Sequence, residues 1–288
     1  MKEVVVLSGK GGTGKTSIVG SFAGLAADKV LADCDVDAAD LHLVLSPQAR
    51  EEHEFWSGQV AVIDSGKCTR CGLCEDVCRY DAIKDFTVNP ISCEGCGFCY
   101  QVCPSDAVTM RECLSGHWFV SMTPYGPLVH ARLGIAEENS GKLVAVVRQN
   151  ARQLGEREQL TYMITDGPPG IGCPVISSVT GSDLALVVTE PTLSGIHDLE
   201  RVLSVCYHFN IPALVCINKY DINEENTRQI EAYCLDQGAP VVAKIPFDNA
   251  VTEALVRGVP VVEYSDGEAS RQVRSLWGRV HERLSNHG

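Results

Sequence analysis

The sequence predicts an α/β protein: a doubly wound parallel sheet interrupted by a small inserted α+β domain. Three observations carry this. A glycine-rich turn in "VVVLSGKGGTGKTS", Val4 to Ser17, joins an apolar run to a helical stretch. Short β-branched runs then alternate with amphipathic segments along most of the chain. Eight of the fourteen cysteines crowd between Cys68 and Cys103, where that alternation stops.

A chain of 288 residues is long enough to bury a sizeable core. Its 45% hydrophobic and 21% charged content is ordinary for a globular protein. A formal net charge of -13 argues against non-specific nucleic-acid binding, which needs a basic surface, though it leaves room for a local basic patch. The N-terminus runs directly into "EVVVL" without a charged leader and apolar h-region, and no apolar run approaches the ~20 residues of a membrane span. The expected location is the cytoplasm. There, so many cysteines point to metal or redox chemistry rather than disulfides.

The strands are read from "KVLADCD", "LTYMITDG", "DLALVVTE", "ALVCINK" and "PVVAKIP", apolar runs that suit parallel strands buried on both faces. Helical spacing marks "GIHDLERVLSVCYHF", "NEENTRQIEAYCLDQG" and "ASRQVRSLWGRVHERL". "NSGKLVAVVRQNARQLGE" reads as a further helix with Asn139 or Ser140 as its N-cap. The cysteine segment breaks the pattern after "LHLVL". It is expected to form a domain over 58–112, inserted between 1–57 and 113–288, because exposed loops with close ends tolerate insertion. "GHWFVSMTPYGPLVHARL" then leads back as extended strands.

In the glycine-rich turn, Gly11, Gly12, Thr13, Gly14, Lys15, Thr16 and Ser17 form a phosphate cradle. Glycines let backbone N–H groups crowd round phosphate oxygens. Lys15 brings a point charge to the β- and γ-phosphates, and the Thr16 hydroxyl suits Mg²⁺. Lys10 is a second lysine, five residues earlier. With it, "KGGTGKT" resembles the deviant Walker A motif of the MinD/ParA/Mrp class of P-loop ATPases, which includes the nitrogenase iron protein.

That resemblance implies ATP and Mg²⁺ as ligands and a sandwich dimer. Lys10 would reach the partner's nucleotide as an arginine finger does, a contribution of roughly 10³–10⁵ in rate. The competing reading of Lys10 is a solvated loop lysine. "ADCDVDAADLHL" resembles the class's switch I, implying that Asp35 positions the attacking water and Asp33 lies near Mg²⁺. Asp37 is the alternative to Asp35, and Asp40 is expected in solvent. "MITDGPPGIG" resembles Walker B running into switch II, with Asp166 at the strand end holding Mg²⁺ and with Gly167 and Gly170 letting the loop move. "CINKYD" resembles the base-recognition segment, which assigns Asn218 to adenine. The "IPFD" loop, Ile245 to Asp248 with Pro246 and Phe247, is the weaker candidate for a second adenine contact.

"CTRCGLCEDVC" and "CEGCGFCYQVCP" each have the spacing C-x₂-C-x₂-C-x₃-C, the pattern of bacterial two-cluster ferredoxins. Three cysteines on one tight loop grip three corners of a cubane, and the fourth, about a helical turn away, points at the other cluster. One [4Fe–4S] cluster is thereby assigned to Cys68, Cys71, Cys74 and Cys103, and the second to Cys93, Cys96, Cys99 and Cys78. Gly72 and Gly97 let the loops bend. The neighbouring "CRYDAI" and "CPSDAV" mark a duplicated half-unit, with Arg79 where the second half has Pro104. Zinc sites usually pair two knuckles, so a triple run favours cubanes. Cys34, Cys206, Cys216 and Cys234 read as packing thiols. Cys113 falls at the domain junction. Cys173, in "PPGIGCPV", follows the switch II glycines and is a candidate for metal binding or pairing across a dimer.

Taken whole, the chain resembles MinD-superfamily P-loop ATPases with an inserted ferredoxin domain, a likeness that extends to "SGKLV", "GIGCP" and "VTEALVRGVPVVEY". It implies a homodimer, or a heterodimer with a paralogous ATPase, and a redox or iron–sulfur partner protein. Nucleotide-driven closure of the dimer would gate electron transfer. Two other functions suit the class. One is iron–sulfur or metallocofactor assembly, with Cys173 as the transfer site. The other is MinD- or ParA-like positioning, for which Val273, Leu276, Trp277, Val280 and Leu284 of the last helix would have to meet a membrane. Such a helix more often packs on the sheet.

Overall fold

The computed structural model describes residues 1–134 and 140–286. The chain divides into two compact units. The first comprises Met1–Glu52, Trp118–Arg132 and the chain from Ser140 onward; the second comprises His53–His117 and the described part of 133–139. The span 58–112 lies inside the second unit.

The elements run β1 (Lys2–Ser8), α1 (Lys15–Leu25), β2 (Lys29–Asp33), α2 (Leu41–Leu45) and β3 (Gln48–Ile63). Next come α3 (Leu73–Asp76), β4 (Ile83–Lys84), β5 (Thr87–Val88), α4 (Phe98–Val102), β6 (Val108–Thr123) and β7 (Gly126–Leu133). The rest is α5 (Ser140–Arg157), β8 (Tyr162–Pro169), α6 (Cys173–Val179), β9 (Leu184–Thr189), α7 (Leu193–His208), β10 (Ala213–Asn218), α8 (Glu224–Asp236), β11 (Val241–Ile245), α9 (Asn249–Val256), α10 (Val261–Tyr264) and α11 (Glu268–Ser285). Ser140 opens α5; the alternative cap, Asn139, lies outside the described residues.

The main sheet has the order β11-β10-β9-β1-β8-β2-β7-β6-β3. From β11 to β7 every neighbouring pair is parallel. The expectation of a wholly parallel sheet needs correcting beyond β7. Only Pro124 and Tyr125 join β6 to β7, and a two-residue connection permits only an antiparallel pair. Thr123 closes that turn: its Oγ1 donates to Gly126 O at 2.8 Å and accepts from Tyr125 N–H at 3.0 Å. Nor did the sequence reading anticipate the long β3. Its exposed charges, among them Arg50, Glu52 and Glu54, suit an edge strand, where charge discourages pairing with another chain.

β1 explains how the core is split. Val4, Val5, Val6 and Leu7 are all fully buried, yet alternate residues serve opposite faces. Val4 and Val6 pack with Ile18, Val19 and Phe22 of α1 and with Val273, Leu276, Val280 and Leu284 of α11. Val5 and Leu7 pack with Leu199, Val202 and Leu203 of α7. Trp277 lies 5.0 Å from Phe22 and 5.8 Å from Tyr162, ring centre to ring centre. The apolar face of α11 is therefore occupied by the core. Among the described residues no helix is long and apolar enough to cross a membrane.

One buried polar network ties α5 to the sheet. Glu3 of β1 accepts from Arg148 at 2.9 and 2.7 Å, from Arg152 at 2.7 Å and from Thr165 Oγ1 at 3.0 Å. Cys34, Cys206, Cys216 and Cys234 are buried, and burial pushes the last three thiols up to about 12, 12 and 11.

The second unit has a thin core of Ala61, Cys74, Ile83, Cys99 and Val108. Its duplicated halves adopt matching structure. α3 and α4 each start from a left-handed glycine, Gly72 at φ 84° and Gly97 at φ 74°, a conformation that side chains resist.

Candidate nucleotide site and cysteine centres

At the carboxyl end of β1 the chain turns through Gly11–Gly14 into α1. This is where open parallel sheets place ligands. Gly14 is left-handed at φ 90°, and a side chain there would collide with Asn218 Nδ2, 2.3 Å from the Cβ position. No acidic residue occupies the first turn of α1, so its N–H groups and dipole face an anion unopposed. Thr16 and Ser17 lie half-buried in that turn.

Lys15 is buried and surrounded by carboxylates. Its Nζ pairs closely with Asp166 Oδ1 and lies 3.6 Å from Asp35 Oδ2. Asp33 and Asp166 are opposite each other in the β2–β8 register, so both project from one face of the sheet beside the cradle. Burial alone would pull the Lys15 pKa down, but Asp166, Asp35 and Asp33 outweigh it and hold it above the usual lysine value. Burial, reinforced by Asp166, pushes Asp33 well above the carboxylate range. Asp35 rises to about 6, chiefly through burial, with Lys15 opposing. Asp37 and Asp40 are exposed.

Three buried polar atoms here have no hydrogen-bond partner: Thr13 Oγ1, Asp33 Oδ2 and Asp166 Oδ2. An unpartnered buried carboxylate oxygen is costly. Asp166, expected at a strand end, lies within β8, which runs on to Pro169; it sits opposite Asp33, the last residue of β2. Two such oxygens on adjacent strands, beside a phosphate cradle, fit a hard divalent cation, which takes oxygen ligands. Among the described residues no three His, Cys, Asp or Glu side chains converge as ligands of a single ion.

Lys10 is not in open solvent. It pairs with Glu190 of its own chain, just beyond β9. Asn218 donates to Thr13 O at 2.7 Å and so braces the cradle, while Lys219 donates to Gly12 O at 2.9 Å. Pro246 and Phe247 lie between β11 and α9; Phe247 is exposed, and its N–H donates to Asp221 Oδ1 at 2.7 Å. Gly167 belongs to strand β8, where a side chain would meet Leu7 Cδ2 at 2.6 Å; its bareness serves sheet packing. Gly170 lies in the loop, its N–H bonded to Ser8 O at 2.9 Å. Sequence reasoning missed Glu190, Thr192, Ser194 and Lys219. The available signal was their place just past the carboxyl ends of β9 and β10.

In the second unit the eight cysteines of the repeat fall into two groups. Cys68, Cys71, Cys74 and Cys103 line one pocket, with Thr69, Phe86 and Ser105. Cys78, Cys93, Cys96 and Cys99 line the other, with Tyr80 and Met110. The two lone cysteines are held alike: Cys78 Sγ accepts from Ala82 N–H, and Cys103 Sγ from Ala107 N–H, each at 3.3 Å. Burial alone would raise the Cys103 thiol, but backbone N–H groups of Ser105 and Ala107 outweigh it and set it below the usual value. Burial raises Cys74 and Cys99. Cys173 is exposed at the start of α6, and Cys113 is half-buried in β6.

A parallel sheet whose first strand feeds a glycine-rich cradle, with a lysine buried among carboxylates of the neighbouring strands and loop, defines a P-loop nucleotide-binding protein. The chain belongs to the CobQ/CobB/MinD/ParA nucleotide-binding domain family, whose model matches residues 4–261. It is 35% identical over 283 residues to the uncharacterized protein MJ0578 of Methanocaldococcus jannaschii, covering 97% of this chain and 96% of that one. A second protein of that organism, MJ0579, is 25% identical over 274 residues, 92% of this chain and 93% of its own. An iron-sulfur cluster carrier protein of Pyrococcus horikoshii is 27% identical over 139 residues, 43% of this chain and 46% of that one. The septum site-determining protein MinD of P. horikoshii, solved with Mg-ADP, superposes with a TM-score of 0.60 at 18% identity, covering 100% of this chain and 98% of that chain. The last likeness is one of fold.

Proposed function

We propose that this protein is an ATPase that carries two [4Fe–4S] clusters and couples nucleotide-driven closure of a dimer to electron transfer with a redox partner. One observation carries the reading. A chain whose first unit builds a phosphate cradle with orphaned carboxylate oxygens has a second unit whose eight cysteines gather as two quartets, each mixing both halves of the repeat.

In the nucleotide unit, backbone N–H groups of Gly11–Ser17 bind the β- and γ-phosphates. Lys15 exchanges Asp166 for a phosphate oxygen. Asp166 and Asp33, with the Thr16 hydroxyl, hold Mg²⁺, which neutralises charge on the phosphates when bound. Asp33, pushed up by burial, would be drawn back toward the ionised form by such a cation. Asp35 orients the attacking water. Asn218, Pro246 and Phe247 flank the base. Lys10 crosses to the partner's nucleotide.

In the second unit, Cys68, Cys71, Cys74 and Cys103 hold one cluster and Cys78, Cys93, Cys96 and Cys99 the other. When bound, the clusters supply one-electron redox chemistry. The N–H groups of Ala82 and Ala107 aim at the Cys78 and Cys103 sulfurs, in matching positions of the two halves. Two relatives of nearly full length in one organism support pairing between paralogous chains.

The test is anaerobic reconstitution followed by iron analysis and electron paramagnetic resonance. About eight irons per chain, four for each of two cubanes, are expected; two zinc ions instead would end the reading. Reoxidation of the reduced protein by a viologen acceptor is then timed with Mg·ATP, with Mg·ADP and without nucleotide. Equal rates in all three remove the gating.

A second reading, iron–sulfur cluster delivery, is favoured by the carrier proteins that match nearly half of this chain. It assigns transfer to exposed Cys173. Loss of transfer to an apo-acceptor on replacing Cys173, but not the quartet cysteines, would select it. Positioning on a membrane is disfavoured, because α11 spends its apolar face on the core.

A further inference from the structure

Lys10 Nζ lies 2.7 Å from Glu190 Oε1 and donates to Thr192 Oγ1 at 3.0 Å and Ser194 Oγ at 2.9 Å. An ammonium has three N–H donors, so these contacts saturate it. Glu190 is held from the other side as well. Lys219 Nζ lies 3.0 Å from Glu190 Oε2 and also donates to Gly12 O in the cradle. The loop that receives Lys10 is itself anchored: Thr192 caps α7 by accepting from Gly195 N–H at 3.0 Å. At the other end of the contact, Gly9 leaves no room for a side chain, since Asp198 Cβ lies 2.2 Å from its Cβ position. The Glu190 side chain is 12% exposed and that of Lys10 30%, so the pair is less screened than a surface bridge.

We propose that Glu190 is a positioning residue for Lys10: it holds the lysine in its own subunit while the chain is unpaired and releases it when a partner presents a triphosphate. The consequence for pairing rests on the function proposed above; the contact itself does not. One ammonium cannot saturate its donors on Glu190, Thr192 and Ser194 and also reach another subunit's γ-phosphate. Release leaves no stranded carboxylate, because Lys219 stays on Glu190 Oε2. An uncompensated buried charge, which makes the loss of one partner so costly, is thereby avoided. Glu190 and Lys219 thus give Lys10 two positions, and the phosphate in the partner decides between them.

The test compares the anaerobic full-length protein with Glu190→Gln by competitive acetic anhydride labelling, reading Lys10 against Lys142 in the peptides. Lys10 is expected to label about tenfold faster in the variant, the scale of one charge-assisted hydrogen bond. Ser194→Ala, a milder change on the exposed rim, gives a smaller rise in the same direction. In sedimentation velocity with a slowly hydrolysed ATP analogue, Glu190→Gln should pair with a second copy at about tenfold lower nucleotide concentration, and Lys10→Ala in the same chain should erase that gain. A Glu190 that merely supports the fold would lower the melting temperature and leave relative Lys10 labelling unchanged; unchanged labelling overturns the proposal. Faster labelling with no pairing of any variant supports the contact and retires the pairing of like chains.

Discussion

In the first unit, four consecutive residues of β1 are fully buried, and the helices on both faces of the sheet are packed against them. In the second, the core is Ala61, Ile83, Val108 and two thiols, Cys74 and Cys99, that are themselves assigned as ligands. The first unit buries its polar site inside an apolar frame that stands without it. The second has little apolar surface to bury, and a small domain with such a core usually needs a staple. The first unit's fold positions its site by itself; if the proposed clusters bind, the second unit's site would help to create its fold.

The largest expected effect is metal removal. Chelation under reducing conditions should open His53–His117 to limited proteolysis while the first unit stays resistant, because binding energy at a structural metal site is folding energy. Proteolysis that begins in both units together would break the distinction. Replacing Cys74, which is buried, by Ser should do more harm to iron content than replacing exposed Cys71, since only the former also belongs to the core.

Next in size is Glu3→Ala. It leaves Arg148 and Arg152 without their carboxylate, a loss of about 3–5 kcal/mol for a broken buried pair. Denaturant unfolding of the first unit measures it. Iron content and cluster spectra should stay as in the parent, and a parallel loss of iron would show that the two units fold as one.

The smallest concerns pH. Burial, with help from the His42 charge, holds His130 down at about 4. An unfolded histidine takes its proton near pH 6.5, so between that pH and 4 the unfolded chain binds more protons. Stability should fall as pH drops through this window, by about 1–2 kcal/mol for a partly buried ring. His130→Asn should flatten that slope, and an unchanged slope would place the sensitivity elsewhere.

Motif chemistry was readable in advance because it is local. The spacing of Lys10, Gly14 and Lys15 survives folding, since a turn joined to a helix is set by a few neighbouring dihedrals. The strand runs around Asp33 and Asp166 were legible for a similar reason: strands buried on both faces are apolar throughout. What escaped was β3, whose charged edge lacks that signature, and the antiparallel return through β6. Gly167, whose sequence context suggests a loop hinge, is a packing position in β8, because only the register shows Leu7 beside it.

The sequence by itself determined that a phosphate cradle and a duplicated cysteine repeat share one chain, because both are written in residues a few positions apart. Only the tertiary structure decided that Lys10 finds Glu190, that Lys219 stands ready to keep Glu190 paired, and that Glu3 gathers Arg148 and Arg152. Those partners lie some 145 to 180 residues from one another along the chain or meet across adjacent loops. They come together only once the order of the strands is fixed, and burial then makes each of these charges seek the counter-charge that the fold has brought within reach.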